Sequence, residues 1–218
     1  MHLERKFYKC PECCLIFTDE ILPPAEEEVH YKNQWGKADP KVWKNQADLI
    51  LKVACNYRMP GRILDFGSGS GDLTRELQRM GLDVTPLEPM VHGFLKDQNF
   101  PRKFDVVVAI EVIEHLLDPW RELRELEKNL VDDGIMIFST LFTNPFLDQP
   151  DEIEQFRSWW YKDDPTHVSF FSNPVFTRMA DMGNYNIDVF GNQLFVIQRI
   201  PEPAAAAPVA NLEGAGRK

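Results

Sequence analysis

Residues 62–75, RILDFGSGSGDLTR, decide how the rest of the chain is read. Ile63, Leu64 and Phe66 give the apolar content of a short buried strand, glycines follow at alternate positions (Gly67, Gly69, Gly71), and Asp72 and Thr74 open an amphipathic segment. The order is strand, glycine loop, helix. Glycine accepts a positive φ and lets a ligand approach the backbone, and the first turn of a helix presents N–H groups without partners. Three glycines in five residues exceed what an ordinary βα turn needs, so the loop reads as a ligand site. A dinucleotide loop, G-x-G-x-x-G, has its third glycine five positions after the first. Here that position is Asp72.

The pattern is instead Asp65-x-Gly67-x-Gly69-x-Gly71, with an acid two residues before the first glycine. It resembles motif I of the class I S-adenosylmethionine-dependent methyltransferases, in which the loop wraps the methionine part of the cofactor and the acid at the strand end sits close by. A second strand, Asp83–Leu87, runs into Glu88. Ligands in open α/β sheets bind beyond the carboxyl ends of the strands, and an acid about 20 residues past the loop can accept both ribose hydroxyls. The resemblance implies S-adenosyl-L-methionine as cofactor, held by Asp65, Gly67, Ser68, Gly69, Gly71 and Glu88, with Glu111 and Val112 from the next strand end. In the family an N-terminal helix closes over the cofactor, which makes Tyr31 and Trp35 lid candidates.

Working outward, Val42, Trp43, Ala47, Ile50, Leu51 and Ala54 keep a 3.6-residue period from Asp39 until Pro60–Gly61 stops it. After the loop, Leu73, Leu77 and Met80 give a crossover helix its core face. Only sixteen residues separate Glu88 from Phe104, too few for the usual helix and third strand, so either the helix shrinks to Pro89–Leu95 or the edge strand is reduced. The adenine amino group then has Asp97 as its nearest acid. Phe104–Ile110, FDVVVAI, is a central strand buried on both faces; Asp118 and Pro119 start a helix, Asp132–Gly134 forms a turn, and Ile135–Thr140 is the next strand. Residues 141–170 interrupt the repeat, Asn173–Met182 is the last helix, and 185–200 form a hairpin. The expected fold is α/β: a Rossmann-like doubly wound sheet, mostly parallel with an antiparallel C-terminal strand. Residues 1–38 read as an N-terminal cysteine-containing extension and lid, 39–200 as the methyltransferase domain with 141–170 a substrate-side insertion, and 201–218 as a Pro/Ala-rich disordered tail.

Glu111, Glu114 and His115, in EVIEH, have i, i+3, i+4 spacing and share a side if the chain turns helical there. The string resembles the ubiquinone-type O-methyltransferases, a Methyltransf_23-like group, and the small-RNA 3′-end 2′-O-methyltransferases. That resemblance implies Mg²⁺ or Mn²⁺ on Glu111, Glu114, His115 and a later histidine, His167 in DPTHVSF. Without metal, His115 or His167 is the general base, since imidazole titrates near neutrality. Trp159, Trp160, Tyr161 and Phe170 are candidates to wall the acceptor pocket.

Of 218 residues, 34 are Asp or Glu and 24 Lys or Arg, a formal charge of −10. That disfavours a nucleic-acid-backbone binder and suits a small-molecule methyl acceptor. No apolar run opens the chain or approaches a membrane span, so a soluble cytoplasmic protein is expected. Cys10 and Cys13 have knuckle spacing but supply only two of four zinc ligands, and a relict knuckle or small hairpin is the expectation over zinc. The function expected is methyl transfer to a hydroxyl, less so an amine, of a small molecule. The alternatives are 2′-O-methylation of an RNA 3′ end, a non-catalytic cofactor-binding partner subunit, and an NAD-dependent oxidoreductase.

Overall fold

The computed structural model describes residues 5–200; the 201–218 tail lies outside them. The N-terminal part holds strands β1 (Tyr8–Lys9) and β2 (Ile16–Phe17) and helices α1 (Pro24–Gln34) and α2 (Pro40–Cys55). The alternating part follows as β3 (Arg62–Phe66), α3 (Asp72–Arg79), β4 (Asp83–Leu87), α4 (Pro89–His92), β5 (Phe104–Ile110), α5 (Pro119–Lys128) and β6 (Leu130–Ser139). Helix α6 (Glu152–Ser158), strand β7 (Ser169–Phe170), helix α7 (Asn173–Gly183) and strands β8 (Tyr185–Phe190) and β9 (Leu194–Arg199) complete the chain.

Six strands form one sheet in the order β4-β3-β5-β6-β9-β8. The β4, β3, β5 and β6 pairings are parallel, and β9 runs antiparallel to both β6 and β8. Successive residues of the central strands enter opposite cores. Val106 and Val108 pack with Ile135 and Ile137 under α2 and α3, while Val107 and Ala109 pack with Met136 and Phe138 under α5 and α7. Burial on both faces explains why FDVVVAI is apolar almost throughout. The sheet is the expected Rossmann-like doubly wound one, and its strand ends at Phe66, Leu87 and Ile110 place the glycine loop, Glu88 and EVIEH side by side.

Two local expectations change. Met80 is 39% exposed, because α3 stops at Arg79 and leaves it at the C-cap. Asp132–Gly134 is no turn: it lies within β6 as an irregularity, with Phe104 opposite Leu130 but Val106 opposite Ile135, and exposes Asp132 and Asp133. Between Glu88 and Phe104 the chain makes only α4 and a 3-10 turn at Leu95–Asp97, so β4 is the sheet edge.

The cysteine segment is a hairpin. Cys10 N–H donates to Leu15 O (2.8 Å), and β1-β2 extends through β2-β7 into a three-stranded sheet that ties the N-terminus to the 141–170 segment. All four cysteines are free, and among the described residues no third side chain joins Cys10 and Cys13 as a metal-ligand set. Among the described residues no helix is long and apolar enough to cross a membrane.

Candidate active site

At the strand ends the glycine loop is shaped by its neighbours. Gly67 has φ +71°, and a Cβ there would lie 2.5 Å from Val112 Cγ2, so both the backbone and the space demand glycine. At Gly69, φ +52°, a Cβ would lie 3.3 Å from Trp35 Nε1, which puts the expected lid residue directly over the loop. Glu88 accepts from Gly69 N–H through Oε2 (3.0 Å) and from Met90 N–H through Oε1 (3.3 Å), joining the second strand end to the loop. Ser68 Oγ is buried without a partner. Asp65 sits beneath the loop, where it accepts from Thr74 O–H. Burial pushes its carboxyl up to about 6 against the opposing Thr74 bonds.

The second cluster forms where β5 ends. Glu111 is in the left-handed region, φ +55°, uncommon for a residue with a side chain and a mark of over-determined sites. Ser139 O–H donates to its Oε1 (2.9 Å) and the Tyr161 phenol to its Oε2 (2.8 Å). The chain then makes a 3-10 turn, Ile113–His115, which buries Glu114 completely. Val168 N–H donates to Glu114 O (2.8 Å), and that bond brings His167 against the turn. Glu114, His115 and His167 each offer a ligand atom within 4.8 Å of the others. The expected fourth member, Glu111, stands outside this set of mutually close atoms, with its oxygens on Ser139 and Tyr161.

Both imidazoles are oriented, and burial disfavours their charged forms. Burial, and then the neighbouring His167, push His115 down to about 3, and burial also lowers His167. His115 Nδ1 lies 3.1 Å from Thr166 O and His167 Nδ1 lies 2.7 Å from Tyr161 O. A carbonyl only accepts, so in His167 Nδ1 carries the proton and Nε2 keeps its lone pair, while His115 Nδ1 faces both Thr166 O and the Tyr31 hydroxyl, which can donate or accept. Glu114 is the counterpart: burial, then Glu111, hold its carboxyl well above the usual range, and its Oε2 is buried without a partner.

One cavity of about 730 Å³ joins the two clusters. It is lined by the glycine loop, Glu88, Glu111, Val112, His115 and His167, and roofed by α1 with Tyr31 and Trp35. The roof is fastened by Tyr31 O–H at 3.0 Å from His115 Nδ1 and by His30 Nε2 at 3.2 Å from Asp164. Several expected residues lie elsewhere. Asp97 does not line the cavity, whose far end is bounded by Met90, Phe94 and Leu95. Trp159, Tyr161 and Phe170 pack instead in a separate aromatic core with Phe146 and Phe156, and Trp160 is 69% exposed. Sequence reading passed over His30, Asp164 and the carboxylate-bridging role of Tyr161; nothing in the spacing of WYKDDPTH shows that its tyrosine returns to EVIEH.

The family description "Methyltransferase domain", Methyltransf_23, matches residues 39–188. The chain belongs to this methyltransferase family. As a member, it is similar to the ubiquinone biosynthesis O-methyltransferase of Azorhizobium caulinodans, 34% identical over 101 residues covering 37% of this chain and 40% of that protein. The enzyme of the same description from Xanthomonas campestris pv. campestris is 30% identical over 140 residues, 52% of this chain and 58% of the relative. The family member described here therefore spans less than two thirds of these relatives' length. Its fold is shared with the plantazolicin methyltransferase BpumL in complex with SAH (TM-score 0.58, 13% identity, 81% of this chain and 91% of that one). It is shared too with the glycopeptide N-methyltransferase MtfA (TM-score 0.54, 14% identity, 83% and 100%).

Proposed function

We propose that this chain transfers the sulfonium methyl of S-adenosylmethionine to a hydroxyl oxygen of a small molecule. The single observation that carries the reading is the shared cavity, which has the glycine loop and Glu88 at one end and two histidines at the other. When bound, S-adenosylmethionine supplies an activated methyl on a good leaving group, so the chain's work is alignment and proton removal. Glu88 has carboxylate lone pairs left for ribose hydroxyls after its two amide bonds. Met90 and Phe94 bound the adenine end in place of the missing acid, and Trp35 closes over Gly69. At the opposite end His167 can take the acceptor's proton, whereas His115, pushed down to about 3, is too weak a base near neutrality. Oxygen is favoured by the O-methyltransferase relatives.

A divalent cation at Glu114, His115 and His167 is a second part of the reading, favoured by the unpartnered Glu114 Oε2 and by ligand atoms of the three residues within 4.8 Å of one another. One carboxylate and two imidazoles suit Mn²⁺ more than Mg²⁺, which prefers oxygen ligands, with further positions open for oxygen donors. A bound cation would supply Lewis acidity that lowers a hydroxyl's pKa. An RNA end suits the site poorly: its carboxylates include Glu27, Glu28, Asp118, Glu122 and Asp164, and Arg121 is its one Lys or Arg among the described residues.

Incubation with labelled S-adenosylmethionine and a fractionated metabolite extract tests the proposal. A labelled product is expected, lost in His167→Ala while cofactor binding persists; cofactor binding without product in any fraction would favour the non-catalytic partner subunit. EDTA should suppress turnover and Mn²⁺ or Mg²⁺ restore it, and indifference to EDTA leaves His167 as a base alone.

A further inference from the structure

Tyr161 touches three of the four residues that the sequence singles out as metal-binding. Its phenol oxygen lies 2.8 Å from Glu111 Oε2, hydrogen-bonds Glu114 Oε1, and is 3.0 Å from Thr140 Oγ1. Its backbone carbonyl accepts from His167 Nδ1 (2.7 Å), and its ring lies against the His167 ring with centroids 4.2 Å apart. The side chain is 3% exposed and outside the cavity lining, so it contacts neither cofactor nor acceptor. We infer that Tyr161 is the positioning residue of the Glu114–His115–His167 set, an inference that rests on the cation reading above.

The geometry shows how it acts. The phenol shares its one proton between Glu111 Oε2 and Glu114 Oε1, which fixes the Glu114 carboxyl plane and leaves Oε2 as the oxygen without a protein partner. The same phenol oxygen and the Ser139 hydroxyl also contact Glu111, which ties the position of Glu114 to the end of β5. The carbonyl turns His167 so that Nε2 is free. Partners of this kind orient ligands and typically govern roughly 10- to 100-fold in metal affinity.

The test uses the full chain, Mn²⁺ alone as the probe, and Tyr161→Phe, which retains the ring and backbone. Wild type should bind one Mn²⁺ per chain, followed by its electron paramagnetic resonance signal, and Tyr161→Phe should bind roughly 10- to 100-fold more weakly with S-adenosylhomocysteine affinity unchanged within about twofold. Equal Mn²⁺ affinity in the two proteins overturns the inference and leaves the cation reading standing. If wild type binds no Mn²⁺, the cation reading fails and the role of Tyr161 is read from the side-chain carboxyl ¹³C resonances of Glu111 and Glu114, which its hydroxyl contacts. Tyr161→Phe should then shift both and leave that of Glu88 in place, and an unmoved Glu114 resonance would overturn it. Should Tyr161→Phe not fold, Thr140→Val removes a phenol contact from the far side and should weaken Mn²⁺ binding in the same direction; no weakening is again a contradiction.

Discussion

Gly67 shows most sharply how one residue constrains the site. Its positive φ and the Val112 methyls 2.5 and 2.9 Å from a would-be Cβ are independent objections to any side chain. Gly67→Ala should destabilise the protein by about 1–3 kcal/mol, seen as a lower denaturation midpoint. Combined with Val112→Ala, the steric part should vanish and only the backbone part, about 1 kcal/mol, remain. Asp65 offers a pH prediction. Its unfolded value is 3.8 and its folded value is raised to about 6. A raised folded value means that stability is fully present below the unfolded value and is lost as pH rises through the folded one. The ionised, buried carboxylate therefore destabilises the fold above about pH 6. Asp65→Asn, which still accepts from Thr74, should remove a decline on the order of 2–3 kcal/mol between pH 4 and 6, measured as the difference between wild-type and variant unfolding curves.

At the scale of elements, the N-terminal arm and the segment bearing His167 form one unit. Arg5 donates to the carbonyls of Asp164 (2.8 Å), Lys162 (3.2 Å) and His167 (2.6 Å), and half-burial lowers its guanidinium from the usual value. The β2-β7 pairing continues the clamp, with Thr18 N–H donating to Val168 O (3.0 Å). Arg5→Ala should cost about 1–3 kcal/mol, as expected for charge-assisted bonds to half-buried groups. Amide exchange should quicken across residues 160–168 and stay unchanged in β3 and β5; uniform quickening would show that Arg5 supports the whole fold instead.

Across the whole molecule, what could be read from sequence and what could not divide along a physical line. RILDFGSGSGD and FDVVVAI specify their strands and loop by local composition, because a twice-buried strand is apolar on both faces and a left-handed turn needs glycine. The helix starts at Asp39 and Asp118 are equally local. The misreadings arose where distant segments meet. Tyr161 looked like a pocket wall but faces Glu111 and Glu114, about 50 residues back in the chain. Asp97 looked like an adenine ligand, yet the shortened 88–104 segment turns Met90 and Phe94 toward the cavity instead. Around Cys10 and Cys13 the expected small hairpin forms, and its second strand pairs with β7.

The central claim is that the glycine loop and Glu88 form the S-adenosylmethionine end of this cavity. Calorimetric titration of S-adenosylhomocysteine into the wild type and into Gly69→Val tests it most directly, because a valine would enter the space between the loop and Trp35 at a φ of +52°. The account predicts one saturable site per wild-type chain and at least about 100-fold weaker binding in a folded Gly69→Val, the loss expected when a branched side chain fills the ligand's approach. No binding by the wild type, or equal affinity in the two proteins, would contradict it.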